Sequence, residues 1–198
     1  MEQIYRKYLA NREYQPYISD WENGTPSEYA LVDIDSNGIE EMILYGKGDY
    51  QYGNFAVFTY DEETGSVIAL ACPDNYLVDS YTGYVMQVYG KPSYYPQYNA
   101  ICFSEENKPS IGQTSGFWIV NGNQLDENFR IMVKENDTGG PGLIRYVLIR
   151  DGIETGISNE EYNAFLWTNL AEPVGESLDY KPIPDANSVG ETSSPGKD

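Results

Sequence analysis

In the stretch Asp33-Ile34-Asp35-Ser36-Asn37-Gly38-Ile39-Glu40-Glu41, oxygen-bearing side chains stand at the first, third, fifth and ninth positions, and a glycine stands at the sixth. Alternate residues of a tight loop point inward together. Asp33, Asp35, Asn37 and Glu41 are therefore expected to converge, with the carbonyl of Ile39 filling another corner. Such a set suits a hard cation, since calcium takes six to eight oxygen ligands at roughly 2.3–2.6 Å. Gly38 falls where the chain must bend sharply. The competing reading is a turn whose Asp and Asn side chains only cap backbone amides. Acidic groups crowded around one glycine repel one another unless a cation lies between them, which favours the ion.

The elements that must hold this loop are strands. An EF-hand would need a bidentate Glu at the twelfth position, where Leu44 stands, and would need flanking helices. Here the flanks are Tyr29-Ala30-Leu31-Val32 and Met42-Ile43-Leu44-Tyr45, short apolar runs rich in strand formers. Glu41 then serves as the closing carboxylate. The run from Tyr29 to Leu44 resembles the calcium loops of FG-GAP and VCBS-type repeats, which read D-x-D-x-D-G-x-x-D/E and are followed by a strand. The resemblance implies side-chain ligation by Asp33, Asp35, Asn37 and Glu41 and carbonyl ligation by Ile39, with Asn37 replacing the usual Asp and lowering the charge of the site. It covers about sixteen residues and has no second copy, which argues against a multi-bladed propeller. The wider order of helix, loop, meander and closing helix is similar to a family of secreted proteins and lipoproteins of Gram-positive bacteria. That likeness implies an extracytoplasmic setting and no particular activity.

The chain of 198 residues carries 12 Lys and Arg against 31 Asp and Glu, a net charge of −19 that repels a phosphate backbone and an anionic membrane surface alike. Nucleic acid is thus excluded as a partner, and no apolar run reaches the roughly 18 residues that a spanning helix requires. No signal peptide is visible. The expectation is a mature or cloned segment, extracellular or anchored at the cell surface, with Met1 an artefact of cloning. Cys72 and Cys102 are the only cysteines. They could pair if their strands lie side by side, but two separate buried thiols are the favoured reading. Two cysteines and no histidine do not make a zinc site.

Ile4, Tyr5, Tyr8 and Leu9 recur at helical spacing and predict a helix to about Asn11. Asp20-Trp21-Glu22-Asn23-Gly24-Thr25-Pro26 reads as a turn. Beyond the ion loop, residues 54–60 and 66–70 flank a hairpin turn at 61–65, and further strands are predicted at 84–89, 99–103, 116–120, 128–133 and 143–150. Asn121-Gly122 and Asp151-Gly152 favour tight hairpins because these residues tolerate positive φ. Ser158 and Glu161 have the spacing of a capping box, and Tyr162, Phe165, Leu166 and Leu170 share one face of a closing helix. The fold class is therefore α+β, a predominantly antiparallel β meander with a short N-terminal and a closing C-terminal helix. Residues 1–171 form one domain and 172–198 a polar Pro/Ser/Gly tail, in which Tyr180-Lys181-Pro182-Ile183-Pro184 is able to lie against the domain.

Catalytic signals are sparse. Without histidine, the usual Ser and Cys triads and His-ligated metal sites fail, and no nucleophile elbow, P-loop or dinucleotide fingerprint occurs. A carboxylate-only glycoside hydrolase survives as an alternative, since it needs just two acids roughly 5–9.5 Å apart. The adjacent pairs Glu62-Glu63, Glu105-Glu106 and Glu160-Glu161 read instead as solvated faces. Tyrosine occurs 19 times, several of them in the segment 89–98 around Tyr94-Tyr95. These rings suit a recognition loop, but strand propensity alone accounts for them and is preferred. The composite expectation is an extracellular, monomeric calcium-binding domain that acts as a binding or adhesion module for a glycan or a host or cell-surface protein, with the ion structural. A purely structural spacer is the remaining rival.

Overall fold

Helical spacing of Tyr5, Tyr8 and Leu9 makes them one apolar stripe, and in the computed structural model they are the buried face of helix α1 (Glu2–Ala10). The structure describes residues 1–18, 25–48, 52–72, 84–108, 112–135, 144–168 and 172–185. Of the turn expected from Asp20 to Pro26, residues 20–24 lie outside them, as do Leu170 and residues 186–198. After a 3₁₀ turn at Gln15–Tyr17, the chain runs through β1 (Glu28–Val32), β2 (Glu41–Lys47), β3 (Tyr52–Asp61), β4 (Ser66–Ala69), β5 (Met86–Tyr95) and β6 (Ala100–Lys108). It continues as β7 (Gly112–Asn121), β8 (Gln124–Glu135), β9 (Ile144–Arg150) and β10 (Ile153–Ile157), then helix α2 (Asn159–Leu166). The strands pair antiparallel in the spatial order β10-β9-β8-β7-β6-β5-β3-β2-β1, with β4 folded back along the end of β3. The predicted fold class holds.

Alternation along each strand distributes side chains between two faces. On the inner face Ile43, Tyr45, Phe55, Val57, Ile101, Phe103 and Trp118 form one cluster. On the outer face Met42, Leu44, Ala56 and Phe58 pack under α1, and Ala100, Cys102, Phe117 and Phe129 pack towards α2. Because β2 is covered on both sides, it reads as an unbroken apolar run rather than an alternating one. The turn at Asp151 and Gly152 has both residues at positive φ, 51° and 73°, as a two-residue hairpin requires. The capping box also forms: Glu161 N donates to Ser158 Oγ at 3.1 Å and Ser158 N to Glu161 Oε2 at 2.7 Å.

The sheet curls back on itself at two places. Past β4, Leu125 N donates to Ala71 O at 2.9 Å and Ala71 N to Asn123 O at 3.1 Å, which joins the β4 side to the start of β8. At the other place, β13 (Glu176–Ser177) pairs with β5 while β14 (Lys181–Pro182) pairs with β1. A bulge between Tyr89 and Ser93, with Gly90 at φ 78°, marks where β5 leaves β3 and takes up β13. Lys91 Nζ lies 4.6 Å from the ring centre of Tyr180 and 5.4 Å from that of Tyr45, and pairs with Glu28 at 2.6 Å.

Two expectations change. Residues 172–185 are not a free tail: Glu176–Ser177 and Lys181–Pro182 pair with the main sheet, and Glu172–Pro173 with Trp167–Thr168. Their Pro and Gly content hid two-residue strands that an open edge accepts, since proline is tolerated at edges. Helix α2 ends at Leu166 rather than near 170, because Trp167–Thr168 (β11) pairs with Glu172–Pro173 (β12). The tyrosine-rich segment 89–98 is mostly strand β5 followed by a 3₁₀ turn at Pro96–Tyr98, as the preferred strand reading expects. Tyr95 is buried edge-on against Phe117 at 5.0 Å between ring centres.

The closing segment packs tightly enough to test. A Cβ on Gly175 would overlap the Tyr95 ring. Gly175→Ala is therefore expected to lower the unfolding free energy by about 1–3 kcal/mol, read as a shift in urea midpoint at unchanged m-value.

Candidate metal centre

Strand β1 ends at Val32, whose register partner is Glu41, the first residue of β2. Residues 33–40 therefore bridge two adjacent strands. This geometry brings Asp33 and Glu41 to the neck of the loop. The chain reverses with Ser36 and Gly38 at φ 60° and 90°, a conformation that glycine adopts without strain. Ser36 Oγ also donates to Asn99 Oδ1 at 3.3 Å, tying the loop tip to the turn before β6.

Within the loop the side chains do cap backbone amides, as the competing reading required. Asp33 accepts from the amides of Asn37 at 3.0 Å and Gly38 at 2.9 Å, one on each carboxylate oxygen. Asp35 accepts from Asn37 N at 3.2 Å and from Asn37 Nδ2 at 3.0 Å. The Asn37 amide oxygen is taken by Ile39 N at 2.7 Å. These bonds preform the turn, and Asp33 and Asp35 are left half-buried with one carboxylate oxygen of each within 4.8 Å of the other.

Glu41 behaves differently. It is fully buried, with Ile34 N donating to its Oε2 at 2.8 Å and Thr59 Oγ1 to its Oε1 at 3.0 Å. Among the described residues no Lys or Arg pairs with Asp33, Asp35 or Glu41. Burial pushes the Glu41 carboxyl up to about 7, opposed by the two hydrogen bonds and reinforced by the Asp35 and Asp33 charges. One oxygen from each of Asp33, Asp35 and Glu41 lies within 4.8 Å of the others. Ligand oxygens on a calcium coordination sphere are at most about 5 Å apart, twice the bond length, so the three carboxylates fit around one such ion. An all-oxygen donor set suits calcium and not zinc.

Of the five expected ligands, the fold thus gathers Asp33, Asp35 and Glu41. Asn37 and Ile39 lie in the same turn, with the Asn37 amide oxygen held by the Ile39 amide. Sequence reasoning missed the supports: the Ile34 amide, Thr59 and Tyr5, whose hydroxyl donates to the Glu40 carbonyl at 2.6 Å. Only the β2–β3 register, in which Met42 faces Phe58, makes Thr59 a neighbour of Glu41. The cysteines take no part. Neither is in a disulfide and both are buried, Cys72 in the inner cluster and Cys102 in the outer, and burial pushes the Cys72 thiol up to about 12.

The raised Glu41 carboxyl has a signed consequence. In chelator, between about 4.5 and 7, the folded chain keeps a proton that the unfolded chain has released, so stability falls as pH rises through that window. Melting curves across this range should show the fall in the wild type and its loss in Glu41→Gln. A variant with the same slope would remove Glu41 as its source.

Compared with known proteins, the chain matches no family model, no curated protein and no solved structure.

Proposed function

We propose that this chain is an extracellular calcium-binding domain in which Asp33, Asp35, Asn37, Glu41 and the Ile39 carbonyl hold one structural ion, and that the domain serves as a binding or adhesion module at the cell surface. The observation that carries the metal reading is Glu41, a fully buried carboxylate set beside two further carboxylates, none of the three paired with a Lys or Arg among the described residues. Burying a charge without a partner costs several kcal/mol, and a divalent ion removes that cost. Calcium outside the cell reaches millimolar concentrations, enough to fill a weak loop site, and each bound ion adds stability to the folded state alone. The ion would pin β1 to β2 and fix the loop against the turn at Asn99.

The glycosidase alternative gains no support. Glu41 is buried beneath the loop and does not reach a sugar bond, while Glu161, the acid beside the groove formed by Tyr98, Leu148, Ile157, Ala164 and Phe165, is committed to its capping box. A binding rather than catalytic role accords with a chain that has no histidine.

Asp33→Ala is expected to lower the melting temperature much more in calcium than in chelator. A calcium titration of the wild type, with magnesium as control, should raise the melting temperature selectively. Equal losses in both media, or no selective rise, would sink the assignment.

A further inference from the structure

Helix α1 reaches the loop through Tyr5. Tyr5 is fully buried, and its hydroxyl bonds to the carbonyl of Glu40, the peptide that lies between the Ile39 and Glu41 positions. That bond turns the Glu40 carbonyl towards the helix and sets the direction in which Glu41 leaves the backbone. The rest of α1 sits on the same two strands that hold the Glu41 carboxylate. Tyr5, Tyr8 and Leu9 share a cluster with Met42 and Phe58, and these two residues are register partners adjacent in the chain to Glu41 and Thr59. Displacing α1 therefore removes the support from the Glu40 carbonyl and from both strands flanking the carboxylate.

We propose that docking of α1 and calcium binding at the loop are coupled, with Tyr5 as the positioning residue that links them, so that the N-terminal helix is a calcium-dependent latch. This rests on the calcium reading above. Linkage requires the coupling to be reciprocal: a docked helix raises calcium affinity, and calcium holds the helix down. Tyr8 supplies an internal control, since it lies on the same helix with a buried hydroxyl that has no hydrogen-bond partner among the described residues.

The test is calorimetric titration of calcium into the full chain as wild type, Tyr5→Phe and Tyr8→Phe, with amide hydrogen exchange across α1 in calcium and in chelator. Loss of one hydrogen bond should weaken calcium binding about 3- to 10-fold in Tyr5→Phe. Tyr8→Phe should bind as the wild type does. Calcium should slow exchange of the α1 amides in the wild type and do so less in Tyr5→Phe. Wild-type affinity in Tyr5→Phe, an equal loss in Tyr8→Phe, or α1 exchange indifferent to calcium each overturns the latch while leaving the ion site standing. A wild type that takes up no calcium removes both. If Tyr5→Phe melts in chelator as an unfolded chain, the wild-type exchange comparison decides alone.

Discussion

A carboxylate placed in a low-dielectric interior either gives up its charge or finds a compensating one, and Glu41 is the residue at which this protein faces that choice. Its two oxygens are held by the Ile34 amide and by Thr59, so the protein's own hydrogen bonds set its position. The loop that supplies the other two carboxylates is likewise shaped by its own hydrogen bonds. The amide-capping turn and the ion site are therefore not exclusive readings. The caps build the turn, and the turn presents the oxygens.

What holds this arrangement is a curled sheet with both faces covered. The inner face packs on itself, and the outer face is covered by α1 at one end and by α2 at the other. Tyrosine serves both. Tyr5, Tyr8, Tyr14, Tyr29, Tyr45, Tyr95 and Tyr162 are buried, many in edge-on or tilted ring contacts, which explains a tyrosine content that would otherwise suggest a recognition surface. Large rings with one polar atom fill the space between helix and sheet, and the hydroxyl of Tyr5 reaches a backbone carbonyl.

The parts legible in the sequence are those governed by local rules. Helix α1, the hairpin between β3 and β4, the turn at Asp151-Gly152, the capping box at Ser158 and the convergence of Asp33, Asp35 and Glu41 each depend on residues within about ten positions of one another. The parts that were not legible depend on distant pairings. Lys181 and Pro182 give no sign in their own neighbourhood of pairing with β1, and Thr59 gives no sign of supporting Glu41 until the β2–β3 register is known. Composition misled at 172–185, where proline and glycine suggested a linker.

The pairing of Glu28 with Pro182 and of Tyr29 with Lys181 joins segments more than 150 residues apart in the chain. Closing so long a loop contributes little to the rate of collapse, and contacts of such separation form late. As the polypeptide emerges from the ribosome, β1 and β2 pair early, but the free edge of β1 stays uncovered until the segment after α2 has been made. Throughout that interval the nascent sheet presents an open row of amides and carbonyls to other chains. Among the described residues, the strand made latest, β14, is thus the one that shields the edge of β1 from aggregation.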